Sequence, residues 1–172
     1  MKTRLFAILA IASTLATLGA QSANAVVGVP LSQSMFTGIL ESGSILNLPF
    51  SDNNRMNLRS TFLANGSSRI DTAINHSNPT WLAFSSPVIS LKLEARRSVS
   101  GPVSIYLYHW QQDRYVFHNA IGFGTNDTVR QGVLTSNGRA YVGPGGQVIV
   151  RLVSAGSSHR FQIDQMLVDV SP

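Results

Sequence analysis

The chain has 172 residues, with 13 Lys and Arg against 8 Asp and Glu and no cysteine. The missing cysteines exclude a disulfide scaffold. Only Arg96 and Arg97 are adjacent among the cations beyond residue 25, which excludes the basic stripe of a nucleic-acid binder.

The first twenty-five residues read as a secretory signal peptide. Lys2 and Arg4 give a positive start, Leu5 to Leu18 is an apolar run broken by small hydroxyl residues, and Ala23-Asn24-Ala25 is a small-x-small cleavage pattern. The apolar run falls short of the ~20 residues that span a bilayer, so no membrane anchor is expected after cleavage. Residues 26–172 are then expected to form a single β-sandwich domain, secreted to the periplasm or the outside of a bacterial cell. Taking Lys2 and Arg4 from the 13 basic residues leaves 11 against 8 acidic ones, a net of +3. Asn65-Gly66-Ser67, Asn75-His76-Ser77 and Asn126-Asp127-Thr128 match the glycosylation acceptor pattern, which carries no weight in a bacterial chain.

Val26 to Gly43 reads as a strand arm or a loose leader. "SILNLPF" (44–50) and "RMNLRSTFLA" (55–64) read as strands around the turn Ser51-Asp52-Asn53-Asn54, and 65–79, rich in Asn, Ser and Gly, reads as a long loop. "VISLKLEAR" (88–96) sets Ile89, Leu91, Leu93 and Ala95 on one side and Ser90, Lys92, Glu94 and Arg96 on the other, the pattern of a half-buried strand. Further strands follow at 102–110, 114–122, 127–134, 147–153 and 159–170. Turn signals separate them, among them Ser136-Asn137-Gly138, Gly143-Pro144-Gly145-Gly146 and Ala155-Gly156-Ser157-Ser158. Short strands at this spacing, with no helical period between them, predict an all-β chain, an antiparallel sandwich or barrel.

The stretch "SIYLYHWQQDRYVFHN" (104–119) holds five of the chain's fourteen Phe, Trp and Tyr residues. With a turn at Gln111–Arg114, Trp110 pairs with Tyr115, Tyr108 with Phe117 and Leu107 with His118. One face then carries Tyr106, Tyr108, Trp110, Tyr115 and Phe117, and the other carries Val103, Ile105, Leu107, His109, Val116, His118 and Ala120. The outer face of an antiparallel sheet normally alternates to polar residues. Two apolar faces therefore mean either that the rings are covered, by the N-terminal segment or by 65–79, or that part of the aromatic face is open to stack on sugar rings. A fully exposed set of five is more than a monomer tolerates. Trp110 and Tyr115, nearest the turn, are the rings expected to reach solvent.

Together "SDNNR" (51–55), "LKLEA" (91–95), "IYLYHW" followed by Tyr115, Pro144-Gly145, Val150-Arg151 and "IDQ" (163–165) resemble an uncharacterised sandwich domain of secreted bacterial proteins. The resemblance implies a galactose-binding-like or carbohydrate-module-like jelly roll and assigns no catalytic residue. Asn53 and His109 depart from the pattern, where Asp and Asn are expected.

Enzyme signatures are poor. The chain has no G-x-S-x-G elbow and no H-E-x-x-H motif. Glycoside hydrolysis needs two opposed carboxylates, and the two glutamates are Glu41 and Glu94, the latter in an outward row between Lys92 and Arg96 and expected to form an ion pair across its sheet. Asp164 and Asp169 read as structural. His109 and His118 share a hairpin face without a third ligand, so a partly buried, hydrogen-bonded pair is expected rather than a zinc site. Asp52 is a weak candidate for calcium, and an Asx turn is the better reading. No cofactor is implied. The function expected is a secreted, non-catalytic β-sandwich that binds a glycan or another cell-surface or matrix component. Its ligand-binding residues would be Tyr106, Tyr108, Trp110, Arg114 and Tyr115. The alternative is a structural or assembly module whose aromatic face packs against its own chain or a partner protein.

Overall fold

The computed structural model describes residues 25–172, so the predicted signal peptide lies, but for Ala25, outside the described residues. The alternating stretches fold into twelve strands: β1 (Val26–Val27), β2 (Val29–Thr37), β3 (Ile39–Ser42), β4 (Met56–Arg59), β5 (Thr61–Phe62), β6 (Ser68–Ser77), β7 (Val88–Arg97), β8 (Gly101–His109), β9 (Arg114–Phe123), β10 (Thr128–Thr135), β11 (Gln147–Gly156) and β12 (Arg160–Ser171). Two antiparallel sheets result. The first runs β10-β7-β12-β4-β3 with β1 also on β12, and the second runs β2-β6-β11-β8-β9 with β5 also on β6. From β4 onward the chain crosses between the sheets in the order first, second twice, first, second twice, first, second, first. That is the double Greek key of a jelly roll, the architecture the resemblance implies.

Period-2 alternation fills the space between the sheets. Ile89, Leu91, Leu93 and Ala95 of β7 face Ile105 and Leu107 of β8, Val150 and Leu152 of β11, and Ile70 and Ile74 of β6, all buried in one cluster. Trp81, in the 3-10 turn Pro79–Ala83, plugs this core with no exposed surface, and its indole N–H donates to the Val26 carbonyl at 2.9 Å. At Asp164 a bulge in β12 sets Ile163 opposite Ala95 and Gln165 opposite Glu94. The extra residue switches the buried positions from Phe161 and Ile163 to Met166, Val168 and Val170.

One open alternative is decided, and three expectations need correction. Residues 26–43 are not loose: β2 edges the second sheet, β3 edges the first, and Gly38, at φ 99°, makes the crossing between them. Residues 44–50 form a 3-10 turn at Ile45–Asn47 rather than a strand, because the Ser44 hydroxyl caps the Leu46 amide. Residues 65–79 are mostly β6, which lies inside the second sheet. Ile70, Thr72, Ile74 and His76 point into the core, and Arg69, Asp71, Ala73 and Asn75 point out. Glu94 pairs with neither Lys92 nor Arg96; it accepts from the Ser51 hydroxyl at 2.7 Å, and Arg96 donates to Gln162.

Candidate functional site

The hairpin β8–β9 turns at Trp110–Asp113, one residue earlier than expected, with Asp113 at φ 51°. Tyr108 therefore stands opposite Tyr115, Tyr106 opposite Phe117, Leu107 opposite Val116 and His109 opposite Arg114. A register shift beside Ile105 and Tyr106 leaves His118 without an opposite residue. The aromatic set still shares one face, because both strands moved together and side-chain direction depends only on parity.

That face is the outer surface of the second sheet. Cross-strand pairing lines up Ala73, Arg151, Tyr106 and Phe117 on β6, β11, β8 and β9. The rings meet edge to face: Tyr106 and Phe117 at 5.5 Å between centroids, Tyr108 and Tyr115 at 5.2 Å, and Tyr108 and Trp110 at 5.1 Å. Such pairs stabilise by about 1 kcal/mol each beyond the area they bury.

Phe36 and Tyr115 sit on the two edge strands, β2 and β9, four strand spacings apart. On a flat sheet that is about 19 Å, yet the rings meet at 6.1 Å, so the side chains reach toward each other over a concave face. Between them lies the Arg151 guanidinium, 4.7 Å from the Phe36 centroid and 4.9 Å from that of Tyr115. Arg151 is held from below. Its Nε and Nη2 donate to the two oxygens of Asp71 at 2.6 and 2.7 Å, and Arg69 adds a third bond at 2.6 Å. Bidentate geometry and burial make this pair stronger than an ordinary surface bridge.

The electrostatics follow from that geometry. Burial pushes the Asp71 carboxyl up, but the hydrogen bonds and charge of Arg151, and then those of Arg69, outweigh it and hold the group below the usual carboxylate range. Arg151 is raised, first by its hydrogen bonds to Asp71. Tyr115 is raised by burial, and Tyr108 by the hydrogen bond from its hydroxyl to Asp113. At neutral pH the face thus holds two cations, one buried anion and neutral phenols. Such a surface can stack on the C–H faces of a sugar ring while guanidinium N–H groups address its oxygens.

Trp110 is half-buried. Its indole N–H donates to the Tyr141 carbonyl at 3.1 Å, and its ring lies flat on Gly143, where an added Cβ would stand 2.0 Å from the indole. Arg114 is exposed on the opposite side of β9 from Tyr115, and its Nε donates to Gln112 at 2.8 Å. On this face the rings that reach solvent furthest are instead Phe117 and Phe36, 55% and 52% exposed.

Sequence reasoning missed Phe36, Arg69, Asp71 and Arg151 as members of this surface. Arg69-Ile70-Asp71-Thr72-Ala73-Ile74-Asn75-His76 does alternate, so β6 carried a readable signal that its polar composition concealed. Nothing in the sequence joins Phe36 to Tyr115; only curvature does.

Elsewhere, Asp52 accepts the Asn54 amide at 2.9 Å, an Asx turn. His109 and His118 stand edge-on to Tyr141 at 5.1 and 4.8 Å, and His118 Nδ1 lies 3.1 Å from the Leu134 carbonyl. Ser154 and His159 make a serine–histidine contact of 2.8 Å that is buried, with His159 Nδ1 turned to the Ser157 carbonyl rather than to a carboxylate. No group of three or more His, Asp or Glu among the described residues could hold a metal ion. No helix among them is long and apolar enough to cross a membrane.

No protein-family model and no curated protein matches the chain. Among solved structures it is similar to TmCBM61 in complex with β-1,4-galactotriose, at 7% identity over 80% of this chain and 86% of that one, TM-score 0.48. It is also similar to a family 29 carbohydrate binding module, at 14% identity over 81% and 90%, TM-score 0.40. A third is the enzymatically active domain of bacteriophage CBA120 tailspike protein 4, at 13% identity over 85% of this chain and 19% of that one, TM-score 0.46.

Proposed function

We propose that this chain is a secreted, non-catalytic glycan-binding β-sandwich, a single unit over 26–172, whose ligand lies across the concave face of the second sheet. The observation that carries the reading is the make-up of that face. Where an outer sheet surface is normally solvated and polar, this one presents Tyr106, Tyr108, Tyr115, Phe117 and Phe36 around a fixed Arg151. Phe117 and Phe36 keep more than half of their surface in water, which costs hydrophobic free energy unless something stacks there. Trp110 acts as the support of Tyr108, and Arg114, on the opposite side of β9, lies off this face.

A glycan array probed with the purified protein tests this, followed by titration of Phe117→Ala and Tyr106→Ala. Binding should fall at least about tenfold in both variants. Phe117→Ala should lower the melting temperature by no more than about 2–4 °C, the loss of one edge-to-face pair with Tyr106 from a ring that is largely solvated. An array without hits, or a Phe117→Ala variant that binds like wild type, overturns the proposal.

An assembly role has one observation in its favour. Val29, Leu31, Phe36 and Phe62 are exposed on or beside the β2 edge of the second sheet, and such an edge invites pairing. In that case a Leu31→Lys variant would dissociate an oligomer seen by sedimentation, and glycans would have no effect.

A further inference from the structure

We infer that the concave face selects an acidic saccharide, one whose ring carries a uronate carboxylate or a sulfate ester, over its neutral counterpart. The inference rests on the glycan-binding reading and sharpens it. Asp71 is 3% exposed in its side chain, and its two oxygens already accept three N–H bonds. It is therefore spent as an acceptor and lies out of reach of solvent. The arginines that it organises are 24% and 35% exposed. Two positive charges against one buried negative charge leave an unbalanced cation at the surface.

Three features aim that charge at the same ligand that the rings would hold. Arg151 is clamped between Phe36 and Tyr115, so a sugar stacked over those rings covers the guanidinium and strips its water. Covering a net cation without supplying an anion is costly, whereas a carboxylate or sulfate replaces the lost hydration with a charge-assisted bond. Arg69 Nε is buried and has no acceptor in the structure, so one donor of this pair is unmatched. The other carboxylate on this side, Asp113, is tied to the Tyr108 hydroxyl at the hairpin tip, two strands from the Arg151 strand. An anionic substituent would thus orient toward Arg69 and away from the tip.

The test is a calorimetric titration of the purified protein with matched oligosaccharides of one linkage, a hexose series, its uronate series and its sulfate-ester series. At low ionic strength the acidic members should bind at least about tenfold more tightly than the neutral ones, and added salt should shrink that ratio. The uronate and sulfate arms show which anion fits. Arg69→Gln leaves the bidentate Arg151–Asp71 pair in place and should lower the acid-to-neutral ratio by several-fold. Arg130→Gln, on β10 of the other sheet, should not change it. Equal affinity for neutral and acidic members overturns the inference and leaves glycan binding standing; no binding to any series overturns both. A ratio insensitive to Arg69→Gln, in a variant that melts like wild type, overturns the assignment to this pair.

Discussion

His76 makes the stability of this fold depend on pH in a way that can be worked from its surroundings. The imidazole is fully buried on the core side of β6, and neither ring nitrogen has a hydrogen-bond partner. Burial disfavours the charged ring and lowers its pKa from 6.5 to about 4, with the nearby main chain of Ile74 and Met166 offsetting a part. A base whose folded pKa lies below its unfolded value takes up its proton more readily when unfolded. Its contribution is therefore intact above pH 6.5 and is lost as pH falls from 6.5 toward 4. Linkage over that interval gives a loss of about 3 kcal/mol by pH 4. For a domain of this size that corresponds to roughly 6–12 °C in melting temperature. Urea titrations of wild type and His76→Leu across this range isolate the effect. His118 and His159, lowered by burial, and Asp164 and Asp169, raised by burial, are common to both proteins and cancel in the difference. At pH 7 the variant should lie within about 1 kcal/mol of wild type, because replacing an unpaired buried polar ring with an apolar side chain is close to neutral. At pH 4 it should be the more stable protein by about 3 kcal/mol. Parallel pH profiles for the two proteins would refute the reasoning.

Two other perturbations address the site. Asp71→Asn should cost about 2 kcal/mol in chemical denaturation, less than a fully buried pair because Arg69 and Arg151 stay partly solvated. It should also flatten the acid limb below pH 4, where wild type loses the stabilisation of its lowered carboxyl; a variant as stable as wild type would contradict the clamp on Arg151. Gly143→Ala puts a methyl group where the Trp110 indole lies. The ring must move off Tyr108, at a cost of about 1–3 kcal/mol. Tryptophan fluorescence should shift to the red, and an unchanged spectrum would show that Trp110 is not seated on Gly143.

The strands were legible where alternation was clean. Ile89, Leu91, Leu93 and Ala95 in β7, and the apolar rows of β8 and β11, face the core as their period required, whereas in β12 the bulge at Asp164 moves the core row from Phe161 and Ile163 to Met166, Val168 and Val170. Alternation is a local property, and the hydrophobic effect acts on it directly. Composition misled at β6, where Asn, Ser and Asp usually mark loops, because its outward Asp71 is satisfied by Arg151, a partner brought from β11. The hairpin register shifted because the turn, four residues long as expected, is placed one residue earlier by the left-handed Asp113, which no neighbour in sequence announces. Its faces survived because parity survives a paired shift.

By itself the sequence determined which residues share a face, and so that a row of rings would lie outside a core that did not need them. The tertiary structure decided how far they reach solvent and what stands among them. The curl of the second sheet brings Phe36 from one edge to Tyr115 at the other, with Arg151 locked between them by an Asp71 eighty residues away. Parity is written in consecutive residues, whereas curvature and long-range charge pairing arise only when strands distant in the chain are laid side by side.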